Sequence, residues 1–210
     1  STPIKSSAAS DVYKRQAVRD RVYSALTREY GNKKEVVQHF YHKDTSVPIW
    51  AIFEVLTLGE FGNFYSCLSY GVRREVSIKL GFHQPSDSDA FLTKKIIFAI
   101  KELRNAVAHN DVIFDTRFSR SSIDKSLSSS LEIVTGIKSI TFKSITDYII
   151  LVVYLLKCFG VPKGDMRRFV AEFQDNIETL RKQIPTSLFA RIVLTDTRPK
   201  LKSLQEYIRK

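Results

Sequence analysis

Ala90-Phe91-Leu92-Thr93-Lys94-Lys95-Ile96-Ile97-Phe98-Ala99-Ile100-Lys101-Glu102-Leu103-Arg104-Asn105-Ala106-Val107-Ala108 decides the fold class. Phe91, Ile96, Ile97, Ile100, Leu103 and Val107 recur at helical spacing, so the stretch reads as an amphipathic helix whose buried side they form. Pro85-Ser86-Asp87 makes a turn ahead of it, Asp87 or Ser88 offers a capping oxygen, and Asn110-Asp111 ends it. The same period recurs on both sides. Val18, Val22, Ala25 and Leu26 share a face of a helix that Gly31 stops, and Lys34–His42 and Val72–Leu80 are short helical segments. Pro48 suits a first helical turn. The run from Ile49 to Leu56 after it is apolar almost all round, which argues for burial, and Gly59 and Gly62 punctuate its continuation to Leu68. Ser144–Phe159 reads as a buried helix, Asp165–Ile184 as an amphipathic one and Ser187–Leu194 as a short one. A last amphipathic helix begins near Pro199. Eight glycines and six prolines are too few for a turn-rich β-sandwich, and no internal repeat occurs, so the expected class is all-α.

Composition narrows the function. The 210 residues hold 33 Lys+Arg against 22 Asp+Glu, a formal charge of +11, which favours polyanionic partners through steering and counterion release. The hydrophobic share of 43% excludes a disordered chain. Cys67 and Cys158 cannot build a disulfide scaffold, and no secretory segment is evident, so a reducing cytoplasm is the expected compartment. The longest apolar run, Ile149–Leu156, is too short to span a bilayer, so no membrane partner is expected. From Arg117 to Ser130 serines mix with Arg117, Arg120 and Lys125, which reads as a mobile basic loop leading into a helix. Arg117, Arg120, Lys125, Lys94 and Lys95 are candidate RNA contacts. The pair Arg167-Arg168 is another candidate phosphate contact. Tyr65, Tyr148 and Tyr154 fit helix-core positions better than base-stacking ones.

The chain carries no glycine-rich phosphate loop, dinucleotide fingerprint or Gly-x-Ser-x-Gly elbow. His39 and His42 could share a helix face but lack further ligands at motif spacing, so no metal and no cofactor is expected. His83 lies in a Gly-Phe-His-Gln-Pro turn and is expected to be exposed. His109 differs because it closes the long helix five residues after Arg104. Five residues turn a regular helix by about 140°, so the two side chains diverge. They converge only if the helix frays near Ala108-His109 or if a second copy completes the site. Small Ala106 and Ala108 permit that close approach. The residues alone equally allow Arg104 to pair with an acid and His109 to cap its own helix.

The order Val47-Pro48-Ile49-Trp50, Leu56-Thr57-Leu58-Gly59-Glu60-Phe61, Leu103 to Asn110 and Ile113-Phe114-Asp115-Thr116-Arg117-Phe118 resembles the abortive-infection AbiD/AbiF family. Arg104-Asn105 with Ala108-His109 looks like the Arg-x4-6-His motif of HEPN-superfamily ribonucleases. Relatives often carry Cys where Val107 stands and a second His where Asn110 stands. The resemblance implies a HEPN-like helical bundle with additional C-terminal helices, which dimerises and cuts single-stranded RNA without metal. The resemblance further implies a place in phage defence or a toxin–antitoxin system, with an antitoxin or regulatory RNA as a further partner. His109 would be the acid/base, Arg104 would stabilise the transition state and Asn105 would orient the phosphate or His109. Glu102 is an outside candidate for orientation. The alternative is a non-catalytic RNA-binding module that grips a guide or regulatory RNA.

Ser6–Gln16 resembles an in-frame translation of a transposon-end sequencing adapter. Residues 1–16 are therefore set aside as an expected artefactual or disordered leader, and 17–210 are expected to form one N-terminally truncated helical domain.

Overall fold

The computed structural model describes residues 4–114, 116, 119 and 123–210, with side chains from Val12 onward; the candidate contacts Arg117 and Arg120 lie outside the described residues. Eleven α-helices and no strand occur among the described residues, an all-α bundle. They are α1 (Ile4–Gly31), α2 (Glu35–His42), α3 (Ile49–Val55), α4 (Leu58–Ser66), α5 (Tyr70–Lys79), α6 (Leu92–Ala108), α7 (Lys125–Thr135), α8 (Ile145–Cys158), α9 (Lys163–Gln183), α10 (Thr186–Ile192) and α11 (Thr197–Arg209). The chain groups into two compact units, Ser1–Arg73 and Arg74–Lys210.

In the first unit α1 packs on α2, α3 and α4. Ala25, Leu26, Val37 and Val55 form its small core, with Val22, Val36, Val47, Ile52 and Leu56 against them. The helix α1 runs unbroken from Ile4 through the adapter-like stretch. Ile49 to Leu68 is not one punctuated run. The chain leaves the helix at Leu56, and Thr57 restarts it with a capping box: Thr57 Oγ1 accepts from Glu60 N at 3.2 Å and Glu60 Oε2 accepts from Thr57 N at 2.8 Å. Gly59 lies inside α4, and so does the buried Gly62. The last carbonyls of α3 find cations instead of helical partners. Lys34 Nζ donates to Glu54 O at 2.8 Å and Arg28 Nη2 to Val55 O at 3.3 Å.

In the second unit α8 is the buried axis. Tyr148, Ile150, Leu151 and Val153 are fully enclosed, and α6, α7, α9 and α11 pack around it. An all-round apolar helix can be satisfied only in that position. One charged group is buried with it. Asp147, in the first turn of α8, accepts from Thr141 N at 3.0 Å and Phe142 N at 2.9 Å through Oδ2, and from Lys200 Nζ at 2.7 Å through Oδ1. Lys200 also reaches Asp196 at 2.7 Å. Burial alone would lower the Lys200 pKa, but its hydrogen bonds to Asp147 and Asp196 outweigh that and raise it above 10.5. The polar run before α7 turns helical sooner than its composition suggests. Asp124 Oδ1 accepts from Ser126 N at 2.8 Å, and Ser126 to Ser130 lie in the helix.

Lys200→Met leaves Asp147 charged, buried and short of a partner, and is expected to cost about 3–5 kcal/mol in urea unfolding. With the lysine pKa raised in the folded state, this contribution is complete at neutral pH and fades as pH climbs past the raised value. Thr57→Ala removes half of the capping box and is expected to cost about 1 kcal/mol, read as a lower urea midpoint at unchanged slope.

Candidate functional site at the end of α6

Asp87 starts α6, its Oδ1 accepting from Phe91 N and Leu92 N at 3.1 Å each. Burial nevertheless pushes its pKa up. Leu92, Ile96, Ala99 and Ala106 face the core. Val107 does not: it is 60% exposed and joins Ile100, Leu103, Arg104, Ala108 and, from α8, Val152 around a shallow apolar hollow of about 330 Å³.

The helix does not fray before His109. His109 is the C-cap, and its backbone N–H donates to Asn105 O at 2.9 Å. Asn110 takes φ +56°, Asn110 N donates to Val107 O at 3.2 Å and Asp111 N to Ala106 O at 2.8 Å. That pair of bonds is a Schellman stop, and it asks for a residue tolerant of left-handed backbone. Asparagine is enriched in that region of backbone. Regular helix up to the cap keeps Arg104 and His109 about 140° apart around the axis. Both side chains are exposed. Arg104 has no acidic partner among the described residues; its Nη1 donates to Asn105 Oδ1 at 3.2 Å. Asn105 thus holds the guanidinium with its side chain and the cap of His109 with its carbonyl.

The other candidates spread along and beyond this helix. Lys94 lies over the rings of Phe91 at 5.5 Å and Phe98 at 5.8 Å. Lys95 is engaged at the start of α7, with Ser126 Oγ at 2.7 Å and Asp124 at 3.5 Å. Lys125 is exposed in the first turn of α7. Lys94 stands about 15 Å up the helix from Arg104 by the helical rise. Glu102 pairs with Lys101 at 2.8 Å. On α9, Arg168 pairs with Asp165 at 3.0 Å and Arg167 is exposed. Tyr65, Tyr148 and Tyr154 are all buried. Among the described residues no three His, Cys, Asp or Glu side chains stand close enough to hold a metal ion. His83 is half-buried rather than exposed, its backbone N–H tied to Ser77 O at 3.1 Å and its Nδ1 buried without a hydrogen-bond partner.

A family model described as Abi-like protein matches residues 4–115, more than half of the chain. The chain belongs to the Abi-like protein family. Neither a curated protein nor a solved structure matches it. The Abi-like match begins ahead of the adapter-like stretch, takes in all of α1 to α6 and ends just beyond the Schellman stop. Membership places the chain among abortive-infection-like proteins. No helix among the described residues is long and apolar enough to cross a membrane.

Replacing Asn110 with valine puts a β-branched residue at positive φ. It is expected to lower stability by about 1–2 kcal/mol, whereas Asn110→Gly stays within about 0.5 kcal/mol of the parent. Thermal unfolding of the two variants checks the cap.

Proposed function

We propose that this Abi-like protein is a metal-independent endoribonuclease of the HEPN type, acting in phage defence or as the toxin of a toxin–antitoxin system. The observation that carries the reading is the end of α6. An exposed Arg104 beside an apolar hollow and an exposed His109 occupy one helix terminus, with the two polar side chains held apart. A helix terminus of that kind is half of a site. A second copy docked over Leu103, Val107 and Ala108 brings a second imidazole and a second guanidinium to the first pair.

RNA needs little more. The 2′-oxygen attacks the adjacent phosphorus as one imidazole takes its proton. The bond from phosphorus to the 5′-oxygen breaks as the other imidazole donates a proton to that oxygen. The products are a 2′,3′-cyclic phosphate and a 5′-hydroxyl. Imidazole suits both tasks near neutral pH. Arg104 supplies planar, permanently charged donors to the phosphoryl oxygens, where negative charge grows. Asn105 accepts from that guanidinium and helps to orient it. Lys94 and Lys125 are proposed contacts for the flanking single strand.

The second reading is an RNA-binding module without catalysis, favoured by the same divergence of Arg104 and His109 if no second copy docks. Purified protein incubated in EDTA with labelled single-stranded RNA separates the readings. The nuclease account expects cleavage with cyclic-phosphate ends, a loss of about a hundredfold or more in both Arg104→Ala and His109→Ala, and near-parent RNA affinity in His109→Ala. Binding by all three proteins with no cleavage by any supports the module. Equal absence of binding removes both.

A further inference from the structure

One face of α6 runs up to His109 and bears cations that the helix terminus itself does not use. On a regular helix Lys94, Phe98, Lys101 and Asn105 fall within about 60° of one another. His109 lies about 40° round from Asn105, one turn further on, and Arg104 about 100° round in the opposite sense. The stripe therefore leads to the imidazole rather than to the guanidinium. Lys95 stands about 100° away from Lys94 and is held by Ser126 and Asp124 at the start of α7, so it is not part of this face.

The two lysines of the stripe share one ring. Lys101 Nζ lies 5.2 Å from the centre of the Phe98 ring and Lys94 Nζ 5.8 Å from it. Lys94 also lies 5.5 Å from the Phe91 ring centre. Lys94, Phe98 and Lys101 are all half-buried. Lysine stems laid along an aromatic surface keep their charged heads in water, so the rings fix where the two ammonium groups stand. A ring attracts an ammonium without taking up its three hydrogen-bond donors. Glu102 takes one from Lys101 at 2.8 Å, and Lys94 forms no ion pair among the described residues. Two positioned cations with donors to spare, one helix face and an imidazole at its end suit a ligand whose negative charge repeats along its length. From Lys94 to His109 the face is about 22 Å long, room for about six nucleotides at 3.4 Å each.

We propose that this face is the track for one flank of the RNA strand, with successive phosphates against Lys101 and then Lys94 as the strand leaves the bond beside His109. The track rests on the ribonuclease reading. It adds Lys101 as a contact, a direction along α6 and a side of the helix.

The test uses the full chain carrying His109→Ala, so that the strand stays intact, and a labelled single-stranded RNA of about twelve nucleotides, enough to cover the track and pass the site. Fluorescence anisotropy is read between about 50 and 200 mM salt. Lys94→Gln and Lys101→Gln are each expected to weaken binding about threefold or more and to lower the slope of log affinity against log salt by about 0.7, the share of one phosphate contact on a single strand. Lys202→Gln, an equal loss of charge at an exposed position on α11, is expected to change neither. Circular dichroism confirms that all three variants fold. An equal loss in Lys202→Gln, or affinity and slope unchanged in Lys94→Gln and Lys101→Gln, overturns the track. If the parent still cuts RNA in that second case, the nuclease reading stands without it. Binding that depends on Lys94 and Lys101 with no cleavage by the parent keeps the track and removes the nuclease, and RNA bound by none of the proteins removes both.

Discussion

A lysine and an aspartate sealed inside the second unit set most of what surrounds them. Lys200 and Asp147 meet at 2.7 Å with side chains only 5% and 1% exposed. Neither could be left alone at that depth without a penalty of several kcal/mol. The Asp147 carboxylate therefore serves three places at once: the first turn of α8, the turn at Thr141 and Phe142, and the side of α11. With α8 so anchored, its apolar surface is free to be covered on all sides. One of the helices covering it is α6, which carries Arg104 and, at its C-cap, His109.

The end of α6 is held rigidly by backbone rather than by side chains. The Schellman stop spends the last carbonyls of the helix on Asn110 and Asp111 and leaves the His109 imidazole exposed. A rigid terminus fixes where Arg104 and His109 sit and keeps them on different faces. Rigidity is thus what makes a second copy necessary in the proposed mechanism. A frayed end would have let one chain bring the pair together. The apolar Val107 is exposed beside Arg104, on the face that the proposed mechanism gives to the second copy.

Much of this was legible in the residues. Periodicity located the helices to within a few positions, and the unusual all-round apolarity of residues 149–156 marked the buried axis. Asp87 was readable as the start of α6 and Asn110 as its end. The break between α3 and α4 was misread, because glycines drew attention away from Thr57-x-x-Glu60, a capping signal already present in the chain. Val107 was assigned to the core because spacing gives the face of a helix and not how completely its neighbours cover that face. The buried Asp147–Lys200 pair was invisible, since 53 residues separate the partners and each looks like an ordinary surface charge. The bonds of Lys95 to Ser126 and Asp124 were not readable either, since they join α6 to the start of α7 across a long connection. The direction of Arg104 and His109 was computable from helix geometry alone; that the helix stays regular to its cap was not.

The central claim is that the exposed end of α6 is one half of a two-copy site. Val107→Glu tests it most directly, because Val107 is exposed in the single copy. Sedimentation equilibrium and RNA cleavage are measured on the same samples. The account predicts a dimeric, cleaving parent and a folded Val107→Glu monomer that has lost cleavage. A Val107→Glu protein that stays dimeric and cuts RNA as the parent does would contradict it.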